Sequence, residues 1–172
     1  MFIKKDLRKI PTILADASKS SKNDNHKNDA DKSSLIDLSL QRRKAEFRGS
    51  VKILCQPSNA PSLSQLKSLS LYDCEINSLQ GLVMLDTLET LKVGRNPRKD
   101  LPDDFVKWQN LKVLWLDDCA LEGTLPTVIC ELAQLEELRV SNNQLTAIPP
   151  EIQLLQNLNI LGLDRNYLET IP

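Results

Sequence analysis

Residues 111–121, 135–145 and 158–168 read LKVLWLDDCAL, LEELRVSNNQL and LNILGLDRNYL. Each carries apolar residues at its first, fourth and sixth positions, Asn or Cys at its ninth and an apolar residue at its eleventh. Two earlier stretches, LKSLSLYDCEI from Leu66 and LETLKVGRNPR from Leu88, repeat the pattern, so the five copies begin 22, 23, 24 and 23 residues apart. Alternation of apolar and polar residues across each copy predicts a short strand with one buried face. A period of ~23 residues brings the chain back one step along, so successive strands stack in parallel at ~4.8 Å. The expected architecture is a solenoid.

The stretches between strands have apolar anchors of their own. LPDDFVKWQNL (101–111), LPTVICELAQL (125–135) and IPPEIQLLQNL (148–158) space them by three and four residues, which suits a helical turn closing the core from outside. Pro after the first Leu or Ile fits the start of such a turn, where its missing N–H costs nothing. The ninth-position Asn96, Asn143 and Asn166 are placed to satisfy backbone groups as the chain leaves each strand. Cys74 and Cys119 hold the same slot and read as turn fillers. Arg98 interrupts the second copy after Asn96-Pro97, predicting a local bulge with Leu101 as the substitute anchor.

This pattern resembles the leucine-rich repeat family over residues 66–172. The first copy is similar to the short class of phosphatase-regulatory proteins, the third, with LEGTLP, to the plant-specific class, and the last two to the intracellular class of Ras-pathway scaffolds. The resemblance implies an α/β fold: a leucine-rich repeat solenoid with a parallel concave β-sheet and irregular or helical convex limbs. It also implies a habit of binding protein.

Upstream, SSLIDLSLQRR reads as one more strand unit, making 35–65 an irregular first repeat, and 66–172 five repeats with the last incomplete. LRKIPTILADA (7–17) has the rhythm of a capping helix, and residues 17–34 lack any large apolar side chain. Ordering that run would cost backbone entropy with no buried surface in return, so 1–34 is expected to be a cap helix followed by a disordered polar segment. At the other end, Ile171-Pro172 is followed by no return limb or polar cap. The expectation is a fragment, an early-terminated product, or an edge buried in an oligomer.

The 172 residues include only 4% aromatics, so the core is filled by leucine and isoleucine. A net charge of −1 divides into +6 over residues 1–52 and −7 over the rest. The basic leader intersperses Lys with Asp and Asn and has few aromatics to stack bases, which argues against nucleic acid and for a solvated segment. No apolar run reaches the ~18 residues of a membrane helix, and the start KKDLRK is no secretory core. The four cysteines show no paired spacing, so reduced thiols and a cytoplasmic location are expected.

Catalysis needs a nucleophile with its base, an acid–base pair or a metal. The sole His, His26, lies in the polar run, there are five Gly and no phosphate loop, and Asp103-Asp104 and Asp117-Asp118 read as solvated turn charges. The expectation is no enzyme, no cofactor, no metal and no small-molecule substrate. Function is expected on the concave strands, between the buried leucines, where the middle exposed slot holds Ser70, Lys92, Trp115, Arg139 and Gly162. There Trp115 is the informative residue, with Lys92 and Arg139 one strand away on either side. Tyr72, Asp117, Asp118, Glu137 and Asp164 complete the candidate partner-binding set, suited to a protein with basic groups around an apolar anchor. The reading is a protein-interaction module or scaffold in intracellular signalling; the alternative is the recognition arm of a larger enzyme or receptor, such as a kinase, continuing beyond Pro172.

Overall fold

The structure, a computed structural model, describes residues 37–42, 44–47, 50–57, 59–97 and 101–172, with Thr12 alone from the N-terminal stretch. The expected cap helix, the polar run before residue 35 and the bulge at 98–100 lie outside the described residues. Six three-residue strands form one parallel sheet in chain order: β1 (Asp37–Ser39), β2 (Ser68–Ser70), β3 (Thr90–Lys92), β4 (Val113–Trp115), β6 (Glu137–Arg139) and β8 (Ile160–Gly162). The register sets Leu38, Leu69, Leu91, Leu114, Leu138 and Leu161 side by side, which is the alignment the 22- to 24-residue spacing requires. This is the repeat solenoid the sequence predicts.

The first, fourth, sixth and eleventh positions make a continuous core. Leu66, Leu69, Leu71 and Ile76 are fully buried in the first copy, and Leu111, Leu114 and Leu116 repeat them two copies on. The limbs are single 3-10 turns rather than α-helix, as at Asp103–Lys107, Thr127–Glu131 and Pro150–Leu154. A 23-residue repeat leaves about five residues for the limb, enough for one tight turn with i→i+3 bonds. Each turn is entered from a proline with extended backbone, Pro102 or Pro149, or from Pro126, whose carbonyl accepts the turn's first N–H (Phe105 at 3.0 Å, Ile152 at 3.0 Å, Ile129 at 3.1 Å). Phe105 and Ile129 point inward from these turns, and Leu101 packs half-buried against the core.

Between β1 and β2 the chain makes helical turns at Lys44–Phe47, Val51–Ile53 and Ala60–Leu63, which bury Phe47, Val51, Leu54 and Leu63. A second, two-stranded parallel sheet pairs β5 (Glu122–Thr124) with β7 (Gln144–Ala147), an element the repeat pattern does not announce. The layer at β8 is the most open. Leu161 is 38% exposed where its five register partners are buried, and Ile160, Tyr167 and Ile171 stand in solvent.

Candidate functional site

Turn residues hold the concave face in place. Asn143 donates through Nδ2 to the Leu116 and Val140 carbonyls at 2.9 and 2.8 Å, and its Oδ1 accepts the Cys119 and Leu121 N–H groups at 3.0 Å each. Asn96 does the same for Leu71, Val93, Cys74 and Ile76. The expected asparagine row is therefore a set of buried staples, each joining its own turn to the preceding one. Cys74 and Cys119 keep the donor half of that role: their Sγ–H groups reach the Leu40 carbonyl at 2.9 Å and the Val93 carbonyl at 3.4 Å. Both are free thiols.

The fifth position of each strand points to the concave side, and the register aligns Ser39, Ser70, Lys92, Trp115, Arg139 and Gly162 in one row. Lys92 Nζ lies 3.6 Å from the Trp115 ring centroid and Arg139 Cζ 4.7 Å, one cation from each neighbouring strand. The indole Nε1–H donates to Glu137 at 3.0 Å, and Glu137 also accepts from Arg139 Nε. Trp115 is half-buried in this setting, and a cation on an exposed ring contributes about 0.5 to 1 kcal/mol. Lys92, Trp115, Glu137 and Arg139 are thus one cluster. Ser70 differs from its expected exposed slot: it is buried, and its hydroxyl has no hydrogen-bond partner.

The remaining candidates divide. Tyr72 lies across the strand end, its ring carbons 2.9 Å from where a Cβ on Gly94 would sit, with Arg95 5.8 Å from the ring centroid. Asp117 is half-buried; its Oδ1 accepts the Ser141 N–H at 2.8 Å, and burial pushes its carboxyl above the ordinary range. Asp118 is committed to Arg95 at 3.5 Å. Asp164 is exposed, with no side-chain partner among the described residues. Tyr72, Asp117, Arg139, Ser141, Gly162 and Asp164 border a hollow of about 550 Å³ beside the Trp115 cluster. Trp108 is not part of this face; it is buried under the limb, edge-on to Phe105 at 4.7 Å.

Both margins of the face carry charge ladders that single-copy reading missed. At the eighth position Arg42, Asp73, Arg95, Asp118, Asn142 and Arg165 alternate, with contacts Arg42–Asp73 at 4.0 Å, Arg95–Asp118 at 3.5 Å and Arg165–Asn142 at 3.3 Å. At the second position Lys67, Glu89, Lys112 and Glu136 alternate, and Glu89 bridges Lys67 at 2.9 Å and Lys112 at 3.0 Å. Those two lysines hold the Glu89 carboxyl below its usual range. The signal lay in comparing the same slot down successive copies.

The profile of the Leucine Rich Repeat family matches residues 110–132 and 134–155. A leucine-rich repeat protein of Leptospira interrogans has a solved structure that superposes over 92% of this chain and 36% of its own, at 27% identity and a TM-score of 0.67. The Arabidopsis receptor kinase HAESA, solved in complex with the peptide hormone IDA and a co-receptor, matches 64% of this chain and 20% of its own at 30% identity and a TM-score of 0.54. A Lymnaea stagnalis protein that carries the name neurotrophin receptor LTRK 1 is 31% identical over 80 residues, 45% of this chain; the chain spans about a tenth of that relative's length. Domains of this kind mediate protein–protein interaction, generally without catalysis, and use their concave surfaces to do so. With its five-copy spacing, its in-register parallel sheet and these matches, the chain has the leucine-rich repeat fold and carries that family's motif over residues 110–155.

Proposed function

We propose that this chain is a non-catalytic recognition module that binds a protein partner on its concave face, around Trp115. The observation that carries the reading is the Trp115 cluster: an aromatic on the solvent side of a strand, held by Lys92, Arg139 and Glu137 where the core does not need it. Tryptophan and arginine are the residue types that most often carry interface energy. A side chain already fixed by its neighbours loses little entropy on docking. The free thiols, two of them acting as hydrogen-bond donors, support a place in a reducing compartment.

Affinity capture from source-cell lysate tests this, comparing wild type with Trp115→Ala/Arg139→Glu after circular dichroism establishes that both fold. Proteins captured by the wild type and lost from the variant are the expected outcome; identical capture by both contradicts the assignment. A second reading, the recognition arm of a larger receptor or enzyme such as a kinase, is favoured by the names of the relatives. The full-length transcript distinguishes them: coding that continues past Pro172 into a catalytic domain supports the arm, and a stop codon there supports the free-standing module.

A further inference from the structure

The charges on the concave side are not equivalent. Asp73 is held by Lys44 at 2.9 Å, Asp118 by Arg95, Glu137 by Arg139, and Asp117 by the Ser141 N–H. Around Trp115 that leaves two groups without an in-chain counter-charge among the described residues. Lys92 touches only the indole, and Asp164 has no side-chain partner. Lys92 ends β3 and Asp164 follows β8 by two residues, with β4 and β6 between the two strands. Three strand spacings across the sheet and two residues along it separate them by about 16 Å. Ser70, next to Lys92 in the same row, has a buried hydroxyl without a hydrogen-bond partner. Trp115 lies between the two charges, one strand from Lys92, while Gly162 leaves the approach to Asp164 open.

An extended chain covers about 13 Å in four residues and presents alternate side chains to one face, and the ligand's own charged side chains reach across the remaining few ångströms. We propose that the ligand of this face is an extended segment of the partner protein with an acid, an apolar residue and a base at positions i, i+2 and i+4. The acid pairs with Lys92, the apolar side chain lies against Trp115, and the base pairs with Asp164. The segment crosses the strands, and the two charge ladders border it without competing for it. This assignment rests on the concave-face reading above and narrows it to one class of sequence.

Selection of a displayed library of random ten-residue peptides on the full chain, on Lys92→Glu and on Asp164→Lys tests the assignment. The wild type is expected to enrich acid-x-apolar-x-base sequences. Asp164→Lys is expected to shift the last preference to an acid, and Lys92→Glu to shift the first to a base. A synthetic peptide from the wild-type pool should bind roughly fivefold more weakly when either charge is replaced by Ala, the upper end for an exposed ion pair. No enrichment, or enriched sequences indifferent to both substitutions, overturns the assignment. If lysate capture still depends on Trp115 and Arg139 in that case, only the segment class fails; if capture is also indifferent, the concave-face reading fails with it.

Discussion

At the residue scale, individual side chains in the turns and strands have tasks that the repeat consensus only partly describes. Gly94 shows this best. A Cβ there would meet the Tyr72 ring at 2.9 Å and the Asp117 carbonyl at 3.0 Å. The ring can rotate away; the backbone carbonyl cannot. Gly94→Ala is therefore expected to cost about 1–3 kcal/mol, the usual range for overpacking, with only partial recovery in Gly94→Ala/Tyr72→Ala. Urea titration of the three proteins measures this, and full recovery would place the whole cost in the ring. Cys130 offers a second test. Burial, with the Glu151 and Glu131 carboxylates nearby, pushes its thiol up to about 11. The unfolded thiol ionises near its ordinary value and so binds fewer protons than the folded one in between. Stability is expected to fall from pH 9 towards 11, and Cys130→Ser to flatten that fall. The sequence named Asn96, Asn143 and Asn166 correctly as turn staples because a primary amide at a fixed period has few other uses. It placed Ser70 in solvent because alternation predicts which face a side chain takes and not what covers it.

At the scale of the element, each turn leaves its strand through a left-handed residue at the eighth position: Arg42, Asp73, Arg95, Asp118, Asn142 and Arg165, with φ between 54° and 60°. The two copies with cysteine at the ninth position add a second left-handed residue, Glu75 and Ala120, both at φ 55°. Alanine has no side-chain hydrogen bond to offset that conformation. Ala120→Gly is expected to stabilise the fold by about 1 kcal/mol, read as a rise in the urea midpoint at unchanged slope. The strands and their register were legible because leucine spacing fixes both. The limbs were legible as turns but not as 3-10 turns, since three- and four-residue spacing suits either helix and only the short connection decides. The β5–β7 sheet gave no signal; EGT and QLTA are too short to show an alternation of their own, and their pairing comes from the stacking of neighbouring copies.

For the whole molecule, the two charge ladders make the first three copies opposite in sign at their two ends, with the sense reversing from one copy to the next through Lys67/Asp73, Glu89/Arg95 and Lys112/Asp118. Neighbours thereby attract at both margins, and a copy stacked out of turn would meet like charge. Arg95→Glu is expected to cost up to about 1 kcal/mol at low salt, and Arg95→Glu/Asp118→Arg to recover part of it, with both effects shrinking in 1 M NaCl. The ladders also leave the middle of the sheet as the part of the surface with charge and apolar area to spare. The most direct measurement is photo-crosslinking in lysate, with benzoylphenylalanine placed singly at Ser68 and Ile160 on the concave side and at Glu131 and Gln153 on the limbs. The concave positions should crosslink one common protein, lost on Trp115→Ala when the probe is at Ser68, and the limb positions should not. Crosslinks to that protein from the limbs alone would contradict the concave assignment.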